Sequence, residues 1–332
     1  MKHSRRPSDF LIVLCILAAV FLLSGCVSDK MIARAVAKYF DSNEPTVLVD
    51  GYERIRAGVS AWVDVPYGDT SKSEILDVYR PMHTDAKLPL IIWVHGGAYI
   101  AGSKEQSVPY VVMLADKGFV TATINYQVAP KGKYPLPVEQ TAKAYRYLMD
   151  NAEAYGIDTD LVFLAGDSAG AQIAAQFLVA QTSLDYAMKA GLPQVVDDPR
   201  TLRGALLFCG PYDITKFDSM GENTTLSRVM EAIARLYLGA KDWRNSEQAR
   251  FASVIGFVTA DFPPTFLTDG DSFSFLDHAE ELDARLRSLG VESQLVAYPD
   301  AGLGHEYQFS MDLPQALETF DAVVSFAKRY GR

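Results

Sequence analysis

One serine in the sequence has the surroundings of a catalytic nucleophile. Ser168 is the central residue of GDSAG at 166–170, which follows the apolar run 161–165 and precedes the alanine-rich stretch 169–179. A G-x-S-x-G sequence between a strand and a helix exposes the serine hydroxyl on a sharp turn, because the glycines tolerate the tight backbone. The N-terminal end of the following helix favours the negative charge that develops in acyl transfer. We therefore predict that Ser168 is a nucleophile.

A second glycine-rich turn lies upstream of this serine. The sequence HGGAY at 95–99 follows directly after the apolar run 88–94. Consecutive small residues let backbone N–H groups point inward without obstruction from side chains, which is what binding an oxyanion requires. We predict an oxyanion hole formed by the N–H groups of Gly96, Gly97, Ala98 and Ala169.

The elements that must position these turns are short apolar runs alternating with longer helical patterns. The predicted strands are 75–80, 88–94, 120–126, 161–165, 205–208, 265–268 and 294–298. The predicted helices include 137–154, 169–179, 228–238 and 277–289. Strands separated by helices indicate βαβ units and a mostly parallel sheet, whose functional sites lie at the carboxyl ends of the strands. Both glycine-rich turns follow such strand ends.

Three further stretches complete a set of motifs: LDVYRP at 76–81, NYQVAP at 125–130 and GPYD at 210–213. Together with the two turns, they resemble the hormone-sensitive-lipase-like and feruloyl-esterase-like carboxylesterase branch of the α/β-hydrolase superfamily. The resemblance covers roughly residues 60–330. It implies an α/β-hydrolase fold over 57–332, with helices on both faces of a mostly parallel sheet and a helical insertion before the strand that bears the acid. That insertion is expected at 214–262, as a lid or as ordinary packing helices.

The general base is expected after the last strand, since the triad in this fold runs serine, acid, histidine along the chain. The sequence has five histidines. His305 follows the run 294–298, whereas His95 belongs to the glycine-rich turn. His305 is therefore predicted to take the proton of the serine.

The position of the acid is irregular in this sequence. The resemblance implies a carboxylate three residues beyond a small residue at the end of strand 265–268. That small residue is Gly270, and Phe273 occupies the expected position. A triad without its acid loses several orders of magnitude in rate but retains some catalysis. With Phe273 at the expected position, either another residue serves as the acid or the protein is a hydrolase scaffold that has lost its activity.

Two aspartates compete for the role of displaced acid. Asp271 needs the least rearrangement of the loop, and Asp277 matches a second aspartate of the family pattern but could instead cap the following helix. Asp269 is a weaker candidate because it is expected further back inside the strand. Asp213, after the preceding strand, is weaker still.

The first residues have the features of an export signal. Basic residues precede the apolar run 10–23, which is too short to span a bilayer comfortably. LSGC at 23–26 resembles the lipobox of bacterial lipoproteins, which implies a signal peptide over 1–25 and a diacylated Cys26. Residues 26–56 would then be a spacer with one helix, and the protein would be anchored to a membrane surface of the bacterial cell envelope, outside the cytoplasm. An ordinary signal peptide with a chance cysteine, or a short membrane anchor, is the alternative.

Composition excludes other classes of protein. The formal net charge is −10 and no basic stripe follows the first few residues, which argues against nucleic acid as a partner. The sequence has no metal-ligand spacing, and serine hydrolysis needs neither metal nor cofactor, so none is expected. Of three cysteines, only Cys209 would remain free after export and lipidation, so no intramolecular disulfide is expected.

These residues predict hydrolysis of carboxylic esters through an acyl-enzyme on Ser168, with a small ester or an acylated polymer as substrate. Two alternatives remain. The same turns serve amidases, including arylformamidases, and some peptidases. A binding protein on a non-catalytic hydrolase scaffold is the other alternative, which Phe273 in the place of the acid slightly favours.

Overall fold

The computed structural model describes residues 28–42, 47–218 and 224–332. The predicted signal peptide 1–25 and Cys26 lie outside the described residues. Within the described part of the chain, no helix has the length and apolar character needed to cross a membrane.

Within these described ranges, eight strands form a single sheet. They are β1 (Val59–Pro66), β2 (Ile75–Pro81), β3 (Leu88–Val94), β4 (Val120–Ile124), β5 (Ile157–Asp167), β6 (Leu202–Phe208), β7 (Thr265–Thr268) and β8 (Ser293–Val296). Their order across the sheet is β1-β2-β4-β3-β5-β6-β7-β8. Strand β2 is antiparallel to both of its neighbours, and every pair from β4–β3 to β7–β8 is parallel. The sheet is mostly parallel, as predicted.

The helices cover both faces of this sheet. They are α1 (Asp29–Ser42), α2 (Tyr52–Ala57), α3 (Val108–Asp116), α4 (Leu136–Asp150), α5 (Ala152–Tyr155), α6 (Ala169–Thr182), α7 (Leu184–Ala190), α8 (Thr224–Leu238), α9 (Glu247–Ala252), α10 (Leu276–Ser288) and α11 (Pro314–Tyr330). Buried residues of α3 and α11 pack with Ile91 and Trp93 in one apolar cluster. Buried residues of α4, α6, α8 and α10 pack with Leu90, Ile92 and Val94 in the other. Alternate residues of β3 therefore face opposite layers, as a pleated strand requires.

The central strands are buried over most of their length because both faces of the sheet are covered. All five residues of β4 are buried, and so are the last five of β3. Strand β1 has no such signature, since most of it is partly exposed at the edge of the sheet. The predicted helix 137–154 is two helices, because α4 ends at Asp150 and α5 begins at Ala152.

The helical insertion lies where it is predicted, between β6 and β7, and contains α8 and α9. Helix α1, predicted within the segment 26–56, packs against α8. The guanidinium of Arg235 on α8 donates from Nε and Nη2 to the two carboxylate oxygens of Asp29, at 2.9 Å each. The segment that follows the predicted lipidation site is therefore joined to the insertion.

Candidate active site

Ser168 lies between the end of β5 and the start of α6, at the predicted turn. Its backbone has φ 49° and ψ −119°, a region that a non-glycine residue enters only when its surroundings force it. Gly170 explains how the turn fits: a Cβ there would lie 2.0 Å from the carbonyl oxygen of Val94. Because Gly170 has no side chain, the first turn of α6 can approach β3 closely. This close packing holds Ser168 in its strained backbone conformation.

His305 reaches this serine from the loop after β8. Its Nε2 lies 3.0 Å from Oγ of Ser168, the distance of a hydrogen bond through which a proton can move. A parallel bridge between Ser272 and Gly304 joins this loop to the one after β7. The structure thus brings together the two residues predicted as nucleophile and base.

The carboxylate that faces the histidine belongs to Asp269. Its Oδ1 lies 3.5 Å from Nδ1 of His305, within the range of an ion pair but without a hydrogen bond to that nitrogen, and the aspartate is fully buried. The N–H groups of Gly270 and Phe275 donate to the two carboxylate oxygens, at 2.7 Å each, and hold the group in place. Burial acts to lower the pKa of His305, but the negative charge of Asp269, with smaller effects of Glu306 and Asp167, raises it overall.

The prediction that Asp271 or Asp277 is the acid needs correction. The carboxylate of Asp271 instead accepts hydrogen bonds from the N–H groups of Leu303 (2.6 Å) and Gly302 (3.0 Å), and so braces the loop that leads to the histidine. Asp277 lies in the first turn of α10 and does not cap that helix. Asp269 faces the histidine because β7 ends at Thr268, so this residue leaves the sheet instead of lying inside the strand.

Two other positions considered for the acid, 273 and 213, make different contacts. Phe273 has φ 48° and a side chain that is 43% exposed. Asp213 accepts hydrogen bonds from the backbone N–H and hydroxyl of Thr215 and from the hydroxyl of Ser253, and so caps a turn.

The glycine-rich turn differs from the prediction at one position. The N–H of Gly96 donates to Oδ2 of Asp167 at 2.8 Å, so it is committed to the protein and we remove it from the oxyanion hole. Gly97 and Ala98 follow with φ 104° and 52°. Within the described part of the chain, the N–H groups of Gly97, Ala98 and Ala169 donate to no acceptor. These three groups remain available for an oxyanion.

His95 holds this turn in shape. Its ring stacks on Tyr126 with 4.3 Å between the ring centroids, and Nδ1 lies 2.7 Å from the carbonyl oxygen of Gly96. Complete burial lowers the pKa of His95 to about 4. The ring is therefore neutral at physiological pH and donates the Nδ1 proton to that carbonyl.

Cys209 lies behind the triad, with a buried thiol next to Gln308. Burial raises the pKa of this thiol well above its ordinary value, so it is protonated and a poor nucleophile. Ligand atoms of Cys209, Asp269 and His305 all lie within 4.8 Å of one another, a spacing that would accept a metal ion. Asp269 and His305 are, however, the candidate acid and base of the site, and a bound metal would block those roles.

Aromatic side chains surround the reacting groups. The edge of Phe275 meets the ring of His305, and Phe217 stacks on Phe275. On another side, Tyr99 from the glycine-rich turn stacks on Tyr237 of α8, with ring centroids 3.9 Å apart. The insertion thus packs a buried aromatic residue against the oxyanion turn.

Comparison with known proteins agrees with this geometry. The BD-FAE family model matches residues 76–285, more than half of the chain. Esterase LipQ of Mycobacterium tuberculosis is 26% identical, over 80% of this chain and 59% of its own. A kynurenine formamidase of Salmo salar is 34% identical, over 63% of this chain and 64% of its own. The chain therefore spans about three fifths of the length of these curated relatives.

Solved structures share the fold. An inhibited esterase B from Lactobacillus rhamnosis superposes with a TM-score of 0.72 at 19% identity, and the match covers 96% of both chains. The nucleophile turn, the oxyanion turn and the strand that precedes Asp269 all lie inside the region that the family model matches. The chain has the α/β-hydrolase fold and belongs to the BD-FAE family.

Proposed function

We propose that the protein is a serine hydrolase that cleaves carboxylic esters through an acyl-enzyme on Ser168. The observation that carries the proposal is the 3.0 Å contact between Nε2 of His305 and Oγ of Ser168. The contact lies beside three N–H groups that are free to bind an oxyanion. A nucleophile, a base and an oxyanion hole at the carboxyl ends of neighbouring strands are the groups that acyl transfer requires.

The geometry suggests a course for the reaction. His305 takes the proton of Ser168 as the serine oxygen attacks the acyl carbonyl, and the imidazolium that forms is stabilised by Asp269. The N–H groups of the oxyanion turn and of Ala169 stabilise the tetrahedral oxyanion. His305 then protonates the leaving alcohol, and water releases the acyl group by the same steps in reverse.

Hydrolysis of 4-nitrophenyl acetate, butyrate and octanoate tests the proposal, with Ser168→Ala as the paired variant. We expect turnover that depends on Ser168 and whose rate varies with acyl length. Turnover that persists in Ser168→Ala would show that another residue is the nucleophile. No turnover on any of these esters would favour the formamidase or the non-catalytic binding protein.

A formamidase is a second candidate, which the similarity to the kynurenine formamidase of Salmo salar favours. The same serine, histidine and oxyanion turn would attack a formyl amide, with His305 protonating an aromatic amine as the leaving group. Formanilide and 4-nitrophenyl formate, compared at equal concentration, distinguish the two. An esterase hydrolyses only the ester at a useful rate, whereas a formamidase hydrolyses both.

We also propose that the insertion 214–262 forms one wall of the substrate site. The contact of Tyr237 with Tyr99 supports this, since the second residue belongs to the oxyanion turn. Tyr237→Ala would open space there and raise the rate on octanoate relative to acetate. An unchanged ratio in a folded variant would assign α8 to packing alone.

For the location, we propose a lipid anchor at Cys26 on a membrane of the bacterial envelope. LSGC at 23–26 supports it, together with the start of α1 at Asp29, three residues after the cysteine. Incorporation of labelled palmitate in a bacterial host is the test, with Cys15→Ser as the matched control. Labelling that disappears in Cys26→Ser but not in Cys15→Ser is the expected result, and labelling that survives Cys26→Ser would refute the anchor.

A further inference from the structure

Two acidic side chains, the buried Asp167 and the partly buried Glu306, lie beside Ser168 and His305 and take no part in the reaction above. Asp167 directly precedes the nucleophile, and Glu306 directly follows the base. Neither has a cationic partner in an ion pair among the described residues. A buried carboxylate without a counter-charge is unfavourable, so its presence needs a physical explanation.

Asp167 holds the start of the oxyanion turn. Its Oδ1 accepts a hydrogen bond from Nε1 of Trp93 at 2.7 Å, and its Oδ2 accepts from the N–H of Gly96 at 2.8 Å. Trp93 lies inside β3 and Gly96 begins the turn that follows it. Asp167 therefore connects the nucleophile turn to the strand and the loop that carry the oxyanion hole.

Glu306 approaches the same place from the histidine loop. Its backbone is left-handed, with φ 64°, and its carboxyl group lies close enough to Asp167 for the two groups to shift each other's pKa. A Cβ on Gly96 would lie 2.3 Å from Oδ2 of Asp167 and 3.2 Å from Oε1 of Glu306. The two carboxyl groups therefore converge on the bare Cα of Gly96, which explains why this position holds a glycine.

Two carboxyl groups in contact inside a protein cannot both be charged, and they titrate as a pair. Burial and the neighbouring charge of Glu306 raise the pKa of Asp167 well above its ordinary value, and burial also raises the pKa of Glu306. The titratable groups that face the pair are His305, Asp269, Cys209 and Tyr126.

We propose that Asp167 and Glu306 share one proton in a carboxyl–carboxylate hydrogen bond, which clamps the oxyanion turn and the histidine loop onto the nucleophile turn. Glu306 is then a positioning residue for the hydrolysis, and this inference rests on the proposed function. One hydrogen bond joins the three segments that carry Gly97, Ser168 and His305. Loss of the shared proton would place two repelling charges beneath the oxyanion turn.

Two substitutions of nearly equal size separate the hydrogen bond from packing. Glu306→Gln keeps a donor to Asp167 without needing the shared proton, whereas Glu306→Met fills the same space and cannot make the bond. In the full-length protein purified in mild detergent, we expect kcat of Glu306→Gln on 4-nitrophenyl butyrate within about threefold of wild type. We expect Glu306→Met to lose about 10- to 100-fold in kcat with little change in KM, because a misplaced oxyanion donor weakens the transition state more than substrate binding.

The pH profile gives a readout that packing alone would not move. Wild-type kcat should fall on the alkaline side as the pair loses its proton, and Glu306→Gln should lack that fall. Infrared spectra at neutral pH should show a protonated carboxyl band in wild type that is missing in Glu306→Gln.

Three results would overturn the proposal. These are equal loss of activity in Glu306→Gln and Glu306→Met, wild-type activity in Glu306→Met, and an alkaline fall that survives in Glu306→Gln. Asp167→Asn provides a second variant should Glu306→Met fail to fold, with the same criteria applied to its pH profile. Failure of the proposed function is distinguishable, since wild type itself would then turn over no substrate.

Discussion

At the scale of single residues, the site depends on which carboxylate orients His305. Asp269 has the geometry for this role because two N–H donors fix its oxygens and its Oδ1 faces the histidine Nδ1. Asp271, two residues on, is engaged with the backbone of Gly302 and Leu303. The two aspartates are close in sequence but differ in what they hold.

Paired amide substitutions test this assignment. Asp269→Asn should lower kcat by about 10³- to 10⁴-fold, since an asparagine cannot stabilise the imidazolium and favours the wrong tautomer. Asp271→Asn should lower kcat by less than about 10-fold, and mainly lower the melting temperature through the weakened loop. Steady-state kinetics on 4-nitrophenyl butyrate measure both, and the reverse ranking would make Asp271 the acid.

The pKa of His305 gives a second test at this scale. His305 must be neutral to accept the serine proton, so kcat/KM should fall as the pH drops through its raised pKa. Asp269→Asn removes the main influence that raises that pKa and leaves burial, which lowers it. The acid limb of the residual activity should therefore move to lower pH, and an unmoved limb would show that Asp269 does not act on the histidine.

The residues of the site differed in how far the sequence could predict them. Ser168 and His305 were predictable because one stands in a local motif and the other follows the last strand. Asp269 was only a weak candidate for the acid because the sequence placed it inside strand β7. The strand ends one residue before it, and the exact end of a strand is hard to predict from a sequence. The commitment of the Gly96 N–H to Asp167 joins residues 71 positions apart, and no local pattern reports such a contact.

At the scale of elements, the approach of α6 to β3 positions the nucleophile. Buried strands such as β4 were predictable as apolar runs, but β1 was not, because its partly exposed edge position leaves no regular pattern. The break between α4 and α5 also lacked a strong signal, since no proline or glycine marks it. The position of Ser168 depends on the distance between α6 and β3, and that distance is set by residues far apart in the chain.

A matched pair of glycine substitutions tests this spacing. Gly170→Ala would put a Cβ 2.0 Å from the carbonyl oxygen of Val94, so α6 must move away from β3. We expect a loss of more than about 3 kcal/mol in the free energy of unfolding, the upper end for overpacking, together with loss of activity. Gly256→Ala meets no atom within 4 Å and is the control. Equal denaturant midpoints for the two variants would contradict the packing argument.

At the scale of the whole molecule, the N-terminal segment and the insertion form one unit on the sheet. Ala33 and Val36 of α1 are buried in the same apolar cluster as residues of α8. The Asp29–Arg235 pair adds a bidentate ion pair, which is about one third exposed. The anchor proposed at Cys26 would therefore hold the insertion near the membrane.

A double-mutant cycle measures this junction. Asp29→Ala and Arg235→Ala should each lower the free energy of unfolding, with a coupling of about 0.5 to 1 kcal/mol that weakens in high salt, as expected for a partly exposed pair. Chemical denaturation at low and high salt gives the four values. Fully additive effects would show that the two side chains do not stabilise the junction through each other.

The most direct test of the account is labelling by a fluorophosphonate, followed by mass spectrometry of the labelled peptide. We expect one phosphonyl group per chain, on Ser168, with no labelling of Ser168→Ala and labelling slowed by at least about 100-fold in His305→Ala. Labelling of another residue, or a rate that does not depend on His305, would contradict the claim that these two residues form the catalytic pair.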